Sequence, residues 1–189
     1  MENFERLISN YSLLETENID TDQIIPAVHL KSIERANFGQ FLFSNWRKED
    51  KLDPEKWPLE CSLNQILVAG TNFGCGSSRE HAVWALSDYG FKVVLSTQIA
   101  DIFSLNALNN GLLPIKIPEA LYHELVAQKN ENLEIEINLE KLEMIVPAIN
   151  QSVSFQISEF KRQCLLNGFD TVDYLCSIHN EIEAYEQAK

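Results

Sequence analysis

The stretch that decides the fold is Gln65-Ile66-Leu67-Val68-Ala69-Gly70, followed by Thr71-Asn72-Phe73-Gly74-Cys75-Gly76-Ser77-Ser78-Arg79-Glu80-His81, then Phe91-Lys92-Val93-Val94-Leu95-Ser96 and Leu112-Leu113-Pro114-Ile115-Lys116-Ile117. Its three short, nearly continuous apolar runs have the character of strands buried on both faces. Between them, Ser78 to Asp88 and Ala100 to Asn110 carry helical spacing, with Gly90 and Gly111 placed as stops. Strand, helix, strand, helix, strand predicts a parallel α/β unit.

Working outward towards the N-terminus, Tyr11 to Leu14 is a short strand, and Glu15 to Asp22 is a polar, turn-forming stretch that ends at Ile24-Ile25-Pro26. From Leu30 to Glu60 no period persists, and Phe38, Phe41, Phe43, Trp46 and Trp57 are embedded among charges. A loop of that length in a compact domain is usually functional or mobile. Towards the C-terminus, a helix runs from Pro118-Glu119 to about Lys129. Leu133 to Ile137 and Leu142 to Val146 alternate as strands, and Val153, Phe155 and Ile157 continue the alternation. Ser158 can cap a helix that stops at Gly168, and Asp170 a last helical region through Ile178 and Ile182. The expectation is one α/β domain over residues 1–189, layered, with a parallel core, additional antiparallel strands and a helical C-terminal extension from about 158 to 189. The segment from about 30 to 60 is expected to be a mobile substrate-recognition loop.

Twenty-eight acidic residues against 15 basic ones give a net charge of −13. That field repels nucleic acid and anionic lipid, and no basic cluster reverses it. No run of about 18 apolar residues and no basic-then-apolar leader occurs, so the expected location is cytoplasmic. Cys61, Cys75, Cys164 and Cys176 include no C-x-x-C pair and have no His at ligand spacing. A zinc or iron–sulfur site built by this chain alone is therefore not expected. Cys164 and Cys176 look like core thiols in apolar helices.

The turn after Gly70 carries the chemistry. A strand end, a glycine-rich turn and a helix start bring unpaired backbone N–H groups and the positive end of a helix to one point. Gly74 and Gly76 permit positive φ and close approach, two serine hydroxyls can donate to a carboxylate, and Arg79 can grip one bidentately. The competing reading is that Ser77 or Ser78 merely caps the helix while Glu80 complements its dipole. Residue types alone leave both open. Phosphate-loop, dinucleotide-fingerprint and G-x-S-x-G patterns are absent. His81, near Trp84 and Ala85, is read as a structural hydrogen-bonder, and Trp46 and Trp57 as core or interface anchors.

The segment from Gly70 to Ala82, with Asn18-Ile19-Asp20-Thr21-Asp22-Gln23-Ile24-Ile25-Pro26, Ala100-Asp101-Ile102-Phe103, and Asn109-Asn110-Gly111-Leu112-Leu113-Pro114, resembles the swivelling domain of the aconitase superfamily. Phe38-Gly39, Asn45-Trp46-Arg47 and Arg162 to Gly168 extend the likeness to the family of small subunits of two-part isopropylmalate dehydratases. The resemblance implies a hydro-lyase that interconverts 2-isopropylmalate and 3-isopropylmalate in leucine biosynthesis and is active only with its large subunit. It places a [4Fe–4S] cluster, a Lewis acid for the departing hydroxyl, in that subunit and none in this chain, and it makes Cys75 a small buried residue. It also implies that Ser77 is the general base and Asp22 an active-site acid. Ser78 and Arg79 would hold one substrate carboxylate and Arg35 the other. The same architecture would also suit a homoaconitase or citramalate-type dehydratase, or a dicarboxylate-binding module without catalysis.

Overall fold

The computed structural model describes residues 3–30, 37–48, 64–128 and 133–188. Seven strands, β1 (Arg6–Leu14), β2 (Ile66–Ala69), β3 (Val93–Ser96), β4 (Leu113–Lys116), β5 (Glu134–Asn138), β6 (Glu143–Val146) and β7 (Gln151–Ser154), hydrogen-bond in the order β4-β3-β2-β1-β5-β6-β7. The first four are parallel and the last three join antiparallel. β1 belongs to both halves. Its residues Tyr11 to Leu14 pair with β2, while Arg6 to Asn10 pair with β5. Arg6 pins the second half by donating from Nε and Nη2 to both carboxylate oxygens of Glu136, at 2.6 and 2.8 Å.

The apolar runs divide between two cores. Leu67, Ala69, Val94 and Leu112 point into one, which is closed by α3 (Glu80–Tyr89) and α4 (Asp101–Asn109) through Ala82, Val83, Ala85, Leu86, Phe103 and Ala107. Their neighbours Ile66, Val68, Val93, Leu95, Leu113 and Ile115 enter the other, together with Ile135, Ile137, Met144 and Val146 from the antiparallel half. Two β layers thus share one core, and helices lie over the far face of the parallel half, which is the layered α/β arrangement expected. Both crossovers from β2 to β4 lie on that one face, as same-handed connections moving one way across a sheet require. Leu121 and Leu125 of α5 (Glu119–Ala127) and Leu165 of α6 (Glu159–Asn167) also pack into the second core. Tyr11 ties α5 to β1 by donating to the Leu125 carbonyl at 2.6 Å. At about 25 cal/mol per Å² of apolar surface removed from water, these two cores hold the sheet between its layers.

Several expectations need adjustment. β1 begins at Arg6, five residues before the strand read from the sequence. The polar stretch contains a one-turn helix, α1 (Thr21–Ile24), closed by a capping box of Asp20 and Gln23. The final strand stops at Ser154, short of Phe155 and Ile157. The last helical region is two helices, α7 (Thr171–Ser177) and α8 (His179–Gln187). Cys164 is buried, but Cys176 is exposed and Cys75 is only half-buried. Within the long segment, α2 (Ser44–Lys48) and a short 3-10 turn at Gly39–Phe41 are described, and Phe43 stacks on Trp46 at 5.0 Å. Residues 31–36 and 49–63 are outside the described residues, and with them Arg35, Trp57, Cys61 and most of the expected recognition loop. Among the described residues no helix is long and apolar enough to cross a membrane.

Candidate functional site

The C-terminal ends of β1, β2 and β3 feed three segments that are laced together by backbone hydrogen bonds. Asn18 donates to the Thr71 carbonyl at 2.9 Å, Gly74 to Ile19 at 2.8 Å, and Thr21 to Cys75 at 3.0 Å. On the other side Phe73 donates to Gln98 and Ala100 to Phe73, both at 3.0 Å. The Thr21 hydroxyl donates to the Ser77 carbonyl at 2.9 Å, and Asn72 bonds Asn18 through their side chains at 2.8 Å. Crevices at the carboxyl ends of parallel strands are where open α/β sheets bind ligands.

Glycine is required here for two separate reasons. Gly74 has φ 72° and sits so close to Phe103 that a Cβ would overlap the ring. Gly76, at φ 89°, has more room but the same left-handed backbone. The two turns carry the chain past Ser77 and Ser78 in non-helical geometry, so α3 starts at Glu80, two residues later than its sequence pattern suggests.

That delay bears on the capping question. The N-cap of α3 is Arg79, with φ −130° and ψ 109°, and no side chain caps it. Neither serine is used in that way. Ser77 and Ser78 are exposed, and Ser78 Oγ accepts from Asn106 Nδ2 at 3.3 Å. The start of α4 is bare as well, since its N-cap Ala100 has no side-chain acceptor to offer. The first-turn N–H groups of a helix ordinarily have no intrahelical partner, and the first turn of α4 lines a cavity of about 290 Å³ that the N-cap Arg79 of α3 also borders. Its walls include Gly76, Ser77, Ser78, Arg79, Ile102 and Asn106.

Arg79 makes an ion pair with Asp22, the guanidinium mostly buried and the carboxylate about half exposed. The pairing leaves other guanidinium donors for a ligand, because that group carries five N–H bonds. Thus Ser77, Ser78 and Arg79, all singled out from the sequence, line one cavity, and Asp22, singled out with them, joins the group through its ion pair with Arg79. Arg35 is not among the described residues. Asn106 is the residue that sequence reasoning passed over. It sits one turn along α4 from Ile102, and its carbonyl accepts from Asn110 Nδ2 at 2.8 Å while Asn110 Oδ1 accepts from Trp84 Nε1 at 3.0 Å. Its only sequence signal was its place in the Ala100 to Leu113 block. The His81 ring lies between Phe38 and Trp84, at 5.3 and 4.6 Å, as a packed aromatic.

A cluster held by four thiolates does not fit this chain's described donors. Cys75, Cys164 and Cys176 lie on a loop, on α6 and on α7, and among the described residues no three His, Cys, Asp or Glu side chains gather closely enough to hold a metal ion.

Comparison with known proteins accords with this geometry. The family model for the aconitase C-terminal domain matches residues 1–120. The 3-isopropylmalate dehydratase small subunit of Christiangramia forsetii is 46% identical over 197 residues, covering 100% of this chain and 95% of its own. That of Bacillus subtilis is 40% identical, covering 94% and 92%. The crystal structure of the 3-isopropylmalate dehydratase of Methanocaldococcus jannaschii superposes with a TM-score of 0.69 at 27% identity, covering 96% of this chain and 99% of that one. The chain belongs to the aconitase C-terminal domain family and, within it, to the 3-isopropylmalate dehydratase small subunits.

Proposed function

We propose that this chain works as the small subunit of a 3-isopropylmalate dehydratase, a hydro-lyase of leucine biosynthesis that acts together with a large subunit. The observation that carries the reading is the cavity in which the uncapped start of α4, two exposed serines and Arg79 converge, in a chain matched over its length by small-subunit relatives.

A malate-type diacid brings a carboxylate to this cavity. The first-turn N–H groups of α4, the Ser78 hydroxyl and the Arg79 guanidinium are complementary to it, and charge-assisted bonds of this kind are about twice as strong as neutral ones. Ser77 is then the group that takes the proton from the substrate carbon. The C–H electron pair becomes the new double bond, the hydroxyl leaves from the neighbouring carbon, and water adds back with the opposite placement to give the isomer. A serine is a weak base unless its oxyanion is stabilised. The Arg79 charge and the nearby start of α3 supply that stabilisation, which strengthens once the large subunit covers the serines, exposed in this chain alone, and excludes water. Asp22 holds Arg79 in orientation. Activation of the departing hydroxyl is left to the large subunit, where the family resemblance puts a [4Fe–4S] cluster.

Reconstitution with the large subunit tests the assignment. Ser77→Ala is expected to lower kcat by about 10²–10⁴-fold while complex formation and thermal midpoint stay unchanged, because Ser77 caps no helix. Wild-type turnover by that variant would remove Ser77 from the chemistry.

A further inference from the structure

Helices α3, α4, α5 and α6 each bury at least two residues, whereas α7 and α8 bury none. A helix of seven to nine residues is marginal in water on its own and ordinarily draws its stability from a packed face. Here the packing is partial: Tyr174 meets the Phe160 ring of α6 edge-on at 4.7 Å, and Tyr174, Ile178 and Ile182 are half-buried. The outer side of α7 presents Val172, Leu175 and Cys176 at i, i+3 and i+4, one continuous helix face. Val172 is 65% and Leu175 48% exposed, and Tyr185 of α8 is 64% exposed. Among the described residues, three of the seven large exposed apolar side chains fall on these two helices, and Val172 and Leu175 share one helix face.

The charge around the patch selects its occupant. From Gln163 to Ala188 there is no Lys or Arg, while Asp170, Asp173, Glu181, Glu183 and Glu186 fall within α7, α8 and their caps. A second copy of this chain, with net charge −13, would bring like charge against like. The complementary surface is apolar at its centre and rimmed by Lys and Arg. The helices also lie beyond residues 1–120, where the broad family match ends, but inside the span shared with small-subunit relatives. They are joined to the site through α6, which packs on α4 and whose Lys161 donates to Asn109 Oδ1 at 2.5 Å.

We propose that α7 and α8 form a docking surface for the large subunit, through an apolar centre at Val172 and Leu175 and an acidic rim. The proposal rests on the small-subunit reading given above.

The test titrates the full-length chain with the large subunit from the same organism and follows complex formation by sedimentation velocity at low and high salt. Val172→Gln with Leu175→Gln is expected to weaken binding at least tenfold without moving the thermal midpoint of the isolated chain. Glu181→Lys with Glu186→Lys, at two exposed positions, is expected to weaken it severalfold and flatten its salt dependence, and it serves as the readout should the Gln pair disturb folding. If both variants bind like wild type, the docking surface is overturned and the small-subunit reading stands. If the wild-type chain itself forms no complex, the small-subunit reading falls and takes this surface with it. If the chain alone dimerises at micromolar concentration and the Gln pair abolishes that, the occupant is a second copy and the proposal is overturned.

Discussion

Helices α1, α6 and α7 begin on a side chain that accepts from their first-turn N–H groups, supplied by Asp20, Ser158 and Asp170, whereas α4, whose first turn lines the cavity, begins on Ala100, and α3, whose N-cap Arg79 lines it, begins likewise with no such cap. Helix α5 also starts bare, but its opening residues Pro118, Glu119 and Ala120 are exposed, where water can serve. The difference teaches that donors which a cap would satisfy internally are left available at the point where an anionic substrate could satisfy them. Capping typically contributes about 0.5–2 kcal/mol, so two bare starts represent stability withheld in favour of binding.

The comparison breaks most severely if the loop that separates the serines from α3 cannot form. Gly74→Ala places a Cβ at φ 72° and against Phe103. The left-handed backbone costs roughly 1–2 kcal/mol for an L residue, and the overlap displaces the turn that presents Ser77 and Ser78. Because a misplacement of about 1 Å can cost 10²-fold in rate, kcat/KM of the reconstituted enzyme should fall at least that far. Retained activity would mean that the bare start of α3 does not depend on this turn.

Arg79→Lys is gentler, since it keeps the charge beside Asp22 but loses the planar fork. Hydrogen bonds to charged groups contribute about 1.5–3 kcal/mol, so KM should rise about ten- to hundredfold with little change in melting. An unchanged KM would show that Arg79 serves Asp22 alone.

Ala100→Ser probes the start of α4. Position 100 has φ −59° and ψ 136°, the extended geometry of a capping residue, and lacks only the oxygen. Serine there should stabilise the chain by about 1 kcal/mol, raising the midpoint by about 2–4 °C for a domain of this size. It should also raise KM severalfold, by occupying N–H groups that substrate needs. Greater stability with unchanged KM would separate α4 from anion binding.

How far all this could be read in advance depended on burial. β2 and β3 were legible because strands covered on both faces become unbroken apolar runs, and the edge strand β4 because its apolar run follows the Gly111 stop. The first half of β1 was not, because Arg6 to Asn10 lies beside β5 with Ile8 nearly half exposed and only Leu7 buried. The serine and arginine cluster was legible as an anion site, but its rivalry with capping could be resolved only by the backbone. Two positive-φ glycines and the hydrogen bond from Thr21 hold Ser77 outside the helix, which periodicity cannot register. Asn106 was hidden for a different reason: its contact with Ser78 spans 28 residues. Cys176 looked like a core thiol because its neighbours are apolar, and that same apolarity faces outward.

The smallest expected effect lies at a capped helix and depends on pH. Asp170 accepts from the backbone N–H groups of Val172 and Asp173 at 2.7 and 2.8 Å, while Asp173 returns a bond to the Asp170 N–H at 3.0 Å. Those bonds, the one from the Asp173 backbone foremost, hold the Asp170 carboxyl below its ordinary range. A carboxyl whose folded value is depressed contributes stability that is fully present above its unfolded value, about 3.9, and is lost as pH falls through the folded one. Helix α7 should therefore lose amide protection on acidification before the sheet does, and Asp170→Asn should remove that dependence. The starts of α3 and α4 use no carboxylate cap and should show no matching loss. Following amide signals of Val172 and Asp173 by nuclear magnetic resonance from pH 6 downward decides the matter. Protection that persists in acid, or that Asp170→Asn leaves equally pH-sensitive, would mean that the carboxylate is not what holds the start of α7.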